Sequence, residues 1–133
     1  MPPLGPIEVE ISPSELFDKI TILQIKHERI TERDRRRNVQ MELDTLIAAR
    51  DRSAPAAPGL SELVAGLRGL NEMLWDLEEA IRACERDQEF GERFVALARS
   101  IYRSNDRRAA QKRRIDELLD SRLKEEKSYP EYD

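Results

Sequence analysis

"LSELVAGLRGLNEMLWDLEEAIRAC", residues 60–84, decides the fold. Leu60, Leu63, Leu67, Leu70, Leu74, Leu77, Ile81 and Cys84 recur at alternating steps of three and four. That spacing puts all of them on one stripe of an α-helix, the seam of a coiled-coil-like contact. So sustained a stripe predicts a helix over 60–87 that lies lengthwise on a partner helix. Trp75 sits beside the seam as a packing anchor, and Cys84 continues it as a small apolar residue.

Upstream, "SAPAAPG" at 53–59 is a linker, because two prolines and a glycine end any helix there. Further back, "SPSE" at 12–15 is a helix start: Ser12 caps, Pro13 suits the first helical position, and Glu15 falls three residues after the cap. Leu16, Ile20, Leu23, His27 and Ile30 then form one lane, which makes His27 a packed core residue. "ERDRRRN" at 32–38 has no apolar residue, and the pattern resumes at Val39, Leu43, Leu46 and Ile47. One continuous helical segment over 12–52 is favoured over a bend at Thr31–Asn38, since neither Gly nor Pro interrupts. "IEVEI" at 7–11 alternates apolar and acidic residues, so residues 1–11 read as an extended arm or short edge strand.

Downstream, "ERDQEFGE" at 85–92 breaks the register and predicts a tight turn. A third helix over 89–121 carries Phe94, Leu97, Ile101, Ile115 and Leu118, with two whole heptads between Ile101 and Ile115. The tail at 122–133 is polar, and Leu123 and Tyr129 are expected to pack back onto the N-terminal arm. The expected fold is all-α: a single domain over 1–133, a long antiparallel bundle of three or four helices with short extended ends. A thin bundle buries little apolar surface alone, so a homodimer is expected.

Charged residues make up 38% of the chain and aromatics 5%, which fits long helices. The net charge of −4 argues against a general nucleic-acid binder. One cysteine excludes an internal disulfide and fits a reducing cytoplasm. The N-terminal residues lack the pattern of a secretory signal, and no apolar run approaches the roughly 20 residues of a membrane helix. A cytoplasmic protein is expected.

"YRSNDRRAAQKRR" at 102–114 collects six cations and one carboxylate inside this acidic chain. On a continuous helix the inward lane reads Ile101, Ser104, Arg108, Gln111, Ile115. Arg108 then points at the partner helices, with Asn105 and Lys112 one step round, while Arg103, Arg107, Arg113 and Arg114 lie mainly outside. A guanidinium aimed at a core needs a counter-charge. Candidates are Asp18, Asp34, Glu72, Asp76 and Glu79. Three readings stay open: an internal network that fixes helix register, a helix break capped by Asn105 or Asp106, or an anion site built on Arg108, Lys112 and Asn105.

Other chemistry finds little support. One His and one Cys cannot assemble a tetrahedral zinc set in a monomer, and no cofactor is expected. No glycine-rich phosphate loop occurs. Glu89 with Glu92, and Glu117 with Asp120, match the spacing of helical Mg²⁺ pyrophosphohydrolases, which gives an alternative reading as a Mg²⁺ enzyme acting on nucleotides or sugar nucleotides.

The strings "SPSELFDKITILQIKHERI", "NEMLWDLEEAIRACE", "FGERFVALARSIYRSNDRRAAQKRRIDELL" and "EEKSY" together resemble a family of small bacterial proteins with relatives in large viruses. Its genes often neighbour glycosyltransferase and cell-surface polysaccharide genes. The resemblance implies no defined activity. It implies a site at matching positions, among them Asp18, Lys19, Asn71, Glu72, Trp75, Asn105, Arg107, Arg108 and Lys112, with Gln111 added from the inward lane. A phosphate or sugar-nucleotide ligand, or a glycosyltransferase-pathway partner, is what the gene neighbourhood implies.

Overall fold

The computed structural model describes residues 2–126 and 128–132. Its helices are α1 (Pro13–Arg29), α2 (Arg33–Ser53), α3 (Leu60–Arg86) and α4 (Glu92–Leu118). No strand occurs among the described residues, and "IEVEI" is exposed and belongs to neither helix nor strand. The chain is an all-α bundle of four helices. Met1, Lys127 and Asp133, parts of the expected arm and tail, lie outside the described residues.

Each boundary has a local cause. Ser12 Oγ accepts the Glu15 backbone N–H at 3.3 Å and starts α1, with Pro13 in the first turn. Gly59 precedes α3 at φ 87°, a left-handed conformation that costs glycine little. α3 ends where the Glu89 N–H reaches the Cys84 carbonyl at 2.8 Å and Gln88 takes φ 55°. The sharp turn expected near Gly91 is therefore made by Gln88.

The favoured continuous segment over 12–52 is overturned: the chain turns at residues 30–32. The Glu32 carboxylate accepts the backbone N–H groups of Asp34 and Arg35, at 2.9 and 3.0 Å, and so starts a new helix. Arg36 Nε donates to the His27 carbonyl at 3.2 Å and satisfies the open end of α1. His27 itself is only half-buried, beside Arg36, and is not the core residue that its lane predicted. The turn folds α2 back so that Leu16, Ile20 and Leu23 meet Leu43, with Val39, Leu46 and Ile47 around them. Each buried Leu or Ile is worth roughly 1.5–3 kcal/mol, which outweighs the few backbone bonds a continuous helix would keep.

α1 is the centre of the molecule. It packs on all three other helices, while among the described helices α2 packs on α1 alone. The side of α1 away from α2 brings Phe17 against Leu67 of α3 and Ile115 of α4. α3 and α4 form a long hairpin through the predicted seam, in which Leu67, Leu74, Cys84 and Ile115 are buried. Leu118, expected inward, is exposed, and Leu119 joins the core cluster instead.

α1 ends beside Asp76 of α3, to which Arg29 is paired. Beyond that point the hairpin stands without a third helix. Leu77, Ile81, Phe94, Leu97 and Ile101 remain half-buried there, and Phe90 and Val95 are exposed. The accessible surface is 9626 Å². A compact monomer of this length exposes about 7,200 Å².

Candidate functional site

The third face of α1 is polar. Ser14, Asp18, Thr21 and Ile25 recur at steps of four, three and four, and all are buried against the α3–α4 hairpin. Asp18 Oδ1 accepts Asn71 Nδ2 at 2.9 Å, and Asp18 Oδ2 accepts a terminal nitrogen of Arg108 at 3.3 Å. Asn71 Nδ2 also donates to Thr21 Oγ1 at 3.0 Å, and that hydroxyl donates to the Asp18 carbonyl at 2.9 Å. One carboxylate thus ties α1 to both other helices of this layer.

One turn further along α4, Lys112 is enclosed between Glu15 of α1 and Glu125 of the tail. Beyond it, the fully buried Asp116 accepts the Ser14 backbone N–H at 2.9 Å and its hydroxyl at 2.8 Å. It also accepts the Glu125 backbone N–H at 3.0 Å. Ser14 lies in the first turn of α1, where backbone N–H groups have no helical partner and a carboxylate complements the helix dipole. Among the described residues no buried side-chain nitrogen or oxygen lacks a hydrogen bond.

These contacts answer which way the basic stretch points. α4 runs unbroken through Asn105, so the reading with a helix break there is overturned. Arg108 faces α1, and of its candidate counter-charges Asp18 is the one it meets. Glu72 pairs with Arg68, Asp76 with Arg29, and Glu79 accepts Trp75 Nε1. Asp34 sits at the exposed start of α2. The layer holds Glu15, Asp18, Asp116 and Glu125 against Arg108 and Lys112, four carboxylates to two cations. It is not a store of spare positive charge, so any anion must approach its rim.

Arg108 is at that rim, with 30% of its side chain exposed against 5% for Asp18. Its other terminal nitrogen donates to Asn105 at 3.3 Å. On one side it borders an open cleft of about 430 Å³ with Ile22, Lys26, Asn71, Leu74 and Trp75. On the other it borders a cleft of about 340 Å³ between α4 and the tail. Arg29 covers part of Trp75, with its guanidinium carbon 5.9 Å from the ring centre.

The structure therefore brings Asp18, Asn105, Arg108, Lys112 and Trp75 around one region. Lys112 is enclosed by carboxylates, and Gln111 is turned to the Leu63 carbonyl at 2.9 Å, a helix-to-helix tie. Glu72 is engaged by Arg68, and Arg107 and Lys19 are exposed. Ser14 and Asp116 escaped the sequence reading. The signal for Ser14 was there, because Ser14, Asp18 and Thr21 share the helical period of the apolar lanes beside them.

Burial alone would raise the Glu15 carboxyl, but the hydrogen bond and charge of Lys112 outweigh it and hold the group below its ordinary 4.5. Burial would likewise lower the Lys112 ammonium, but Glu15 and Glu125 hold it above 10.5. A depressed carboxyl contributes stability above 4.5 that is lost as pH falls through the folded value. A raised ammonium contributes stability below 10.5 that is lost as pH rises through its folded value. Melting temperatures across pH should show a plateau between these limits. In Lys112→Met the acid-side fall should become shallower, because Glu15 returns towards its ordinary value and its share of the pH dependence disappears. An unchanged acid limb would show that this pair does not set it.

The paired carboxylates of the Mg²⁺ reading do not meet. Glu89 and Glu92 lie at the start of α4, and Glu117 and Asp120 at its end. A helix of this length separates the two pairs by about 40 Å. No group of three or more His, Cys, Asp or Glu side chains suited to a metal ion occurs among the described residues.

A family model matches residues 7–132, nearly the whole chain including the arm, the polar layer and the tail. The chain belongs to the family of unknown function DUF6165. No curated protein and no solved structure matches it. The match places every residue of the DUF6165 polar layer, from Ser12 to Glu125, inside one family unit. No helix among the described residues is long and apolar enough to cross a membrane.

Proposed function

We propose that this DUF6165 chain is a non-catalytic accessory or scaffold protein that binds an anionic ligand at the rim formed by Arg108. One observation carries this reading. Asp18 and Asn105 hold the guanidinium from behind through one hydrogen on each terminal nitrogen, both at 3.3 Å. A guanidinium has five such donors, and the rest of the fork borders the cleft beside Trp75. A planar fork can grip a phosphate or carboxylate with two bonds, and an indole face accepts a flat ring. Lys26 and Arg82 add positive charge to the cleft wall, and Glu78 and Glu79 supply acceptors for hydroxyls.

A phosphorylated ligand with a planar group fits that combination, and a sugar nucleotide is such a molecule. The resemblance to proteins encoded near glycosyltransferase and surface-polysaccharide genes supports the same class and a role in that pathway in the bacterial cytoplasm. A homodimer belongs to the proposal. The surface in excess of a compact monomer and the uncovered end of the α3–α4 hairpin support it.

Calorimetric titration with sugar nucleotides and with inorganic phosphate, each with and without Mg²⁺, tests the site. Binding should be indifferent to Mg²⁺ and weaken by about 10- to 100-fold in Arg108→Ala, the worth of a charged hydrogen bond. Trp75→Ala should weaken the sugar nucleotide and leave phosphate unchanged. Binding that survives Arg108→Ala, or turnover that needs Mg²⁺ and Glu89, contradicts the proposal.

A further inference from the structure

After α4 the chain doubles back along that helix, and its contacts are those of a bound peptide. Asp116 accepts the backbone N–H of Glu125 at 3.0 Å, and Arg113 donates to the carbonyl of the same residue at 3.1 Å. Both polar groups of one residue's backbone are thus read, as in recognition of an extended strand. The side chains follow suit: Glu125 pairs with Lys112 at 3.1 Å, and Glu126 pairs with Arg113. Further on, the Tyr132 hydroxyl donates to Asp106 at 2.6 Å. Its ring packs edge-on against Tyr102 at 5.4 Å and lies 5.3 Å from the Arg103 guanidinium carbon. Arg122 of the tail pairs with Glu10 of the arm, and Tyr129 is 78% exposed. Arg103 and Arg113 of the outward set, with the enclosed Lys112, are the cations that hold it.

The fit is incomplete. A cleft of about 340 Å³ remains between the tail and α4, and none of the described tail residues joins either buried core cluster. Beyond Glu125 the tail's contacts are polar and lie at an exposed surface, and such a segment opens at low cost. We infer that the side of α4 lined by Arg103, Asp106, Lys112 and Arg113 is a docking groove for an extended segment of a partner protein that bears adjacent carboxylates and a tyrosine. In the isolated chain the protein's own tail takes those contacts. A short tether keeps the tail near millimolar effective concentration, so the groove stays masked until the tail is loosened or outcompeted. This inference does not rest on the ligand cleft: Arg103, Arg113 and Tyr132 belong to the groove alone.

A fluorescent peptide with the sequence of residues 122–132 tests it by anisotropy against the full-length chain. The double variant Glu126→Ala/Tyr132→Ala should bind the peptide at least about 10-fold tighter than wild type, because its own tail competes less. Arg113→Ala added to that background should remove the gain. Arg113 bonds Glu117 of its own helix and the tail, so the variant's circular dichroism should match the parent. A peptide with lysine in place of Glu125 and Glu126 should not bind. Equal affinity for wild type and the loosened variant, or equal binding of the lysine peptide, overturns the inference. Self-association of the wild-type chain that the added peptide dissolves would assign the groove to a second copy's tail, and overturns the partner protein as occupant.

Discussion

Asp116→Ala should lower the free energy of unfolding by about 3–5 kcal/mol, the cost of leaving two or three buried donors without their acceptor. The carboxylate is fully buried and accepts three hydrogen bonds, two from Ser14 and one from Glu125. Alanine leaves the Ser14 backbone N–H buried without a partner at the start of α1, and also frees the tail. A domain of this size unfolds with a total of only about 5–15 kcal/mol, so the variant should melt at least roughly 10 °C lower. Asp116→Asn should lose less, since its amide oxygen still accepts one donor while its NH₂ faces another. Thermal unfolding followed by circular dichroism measures both. A fall of under about 1 kcal/mol in the alanine variant would mean that α1 is held by its apolar faces alone.

Asp18→Ala should be nearly as costly, about 2–4 kcal/mol. It strands the Arg108 guanidinium against α1 and removes one of two acceptors from the buried Asn71 amide. Chemical unfolding checks the value. The loss should exceed that of Arg108→Ala, because alanine at 108 removes the charge that needs a partner and leaves Asp18 its bond from Asn71.

Most of the bundle could be read from spacing. The seam from Leu60 to Cys84 and its continuation from Phe94 to Ile115 fixed two long antiparallel helices, because a period of 3.5 leaves one arrangement that buries the stripe. The turn between Ile30 and Glu32 could not be read the same way. It has no Gly or Pro, and its cause is a tertiary gain: Leu16, Ile20 and Leu23 need Leu43 folded over them. The inward aim of Arg108 followed from phase, since Ile101 and Ile115 are two heptads apart. Its setting did not. Lys112 reads only as one step round from Arg108 and Asp116 carries no signal of its own, yet both are buried against α1. Ser14 was hidden inside a capping motif that explained it already. The tail's course along α4 depends on single backbone contacts, which no side-chain period records.

The most direct measurement is a double-mutant cycle on Asp18 and Arg108 by chemical unfolding. Asp18→Ala, Arg108→Ala and the double variant should give a coupling energy of at least about 1 kcal/mol, the range for side chains in direct contact. A guanidinium turned inward and braced by that carboxylate requires it. Strictly additive losses would mean that the basic stretch of α4 faces solvent, and that neither the polar layer nor the rim built on it exists as described.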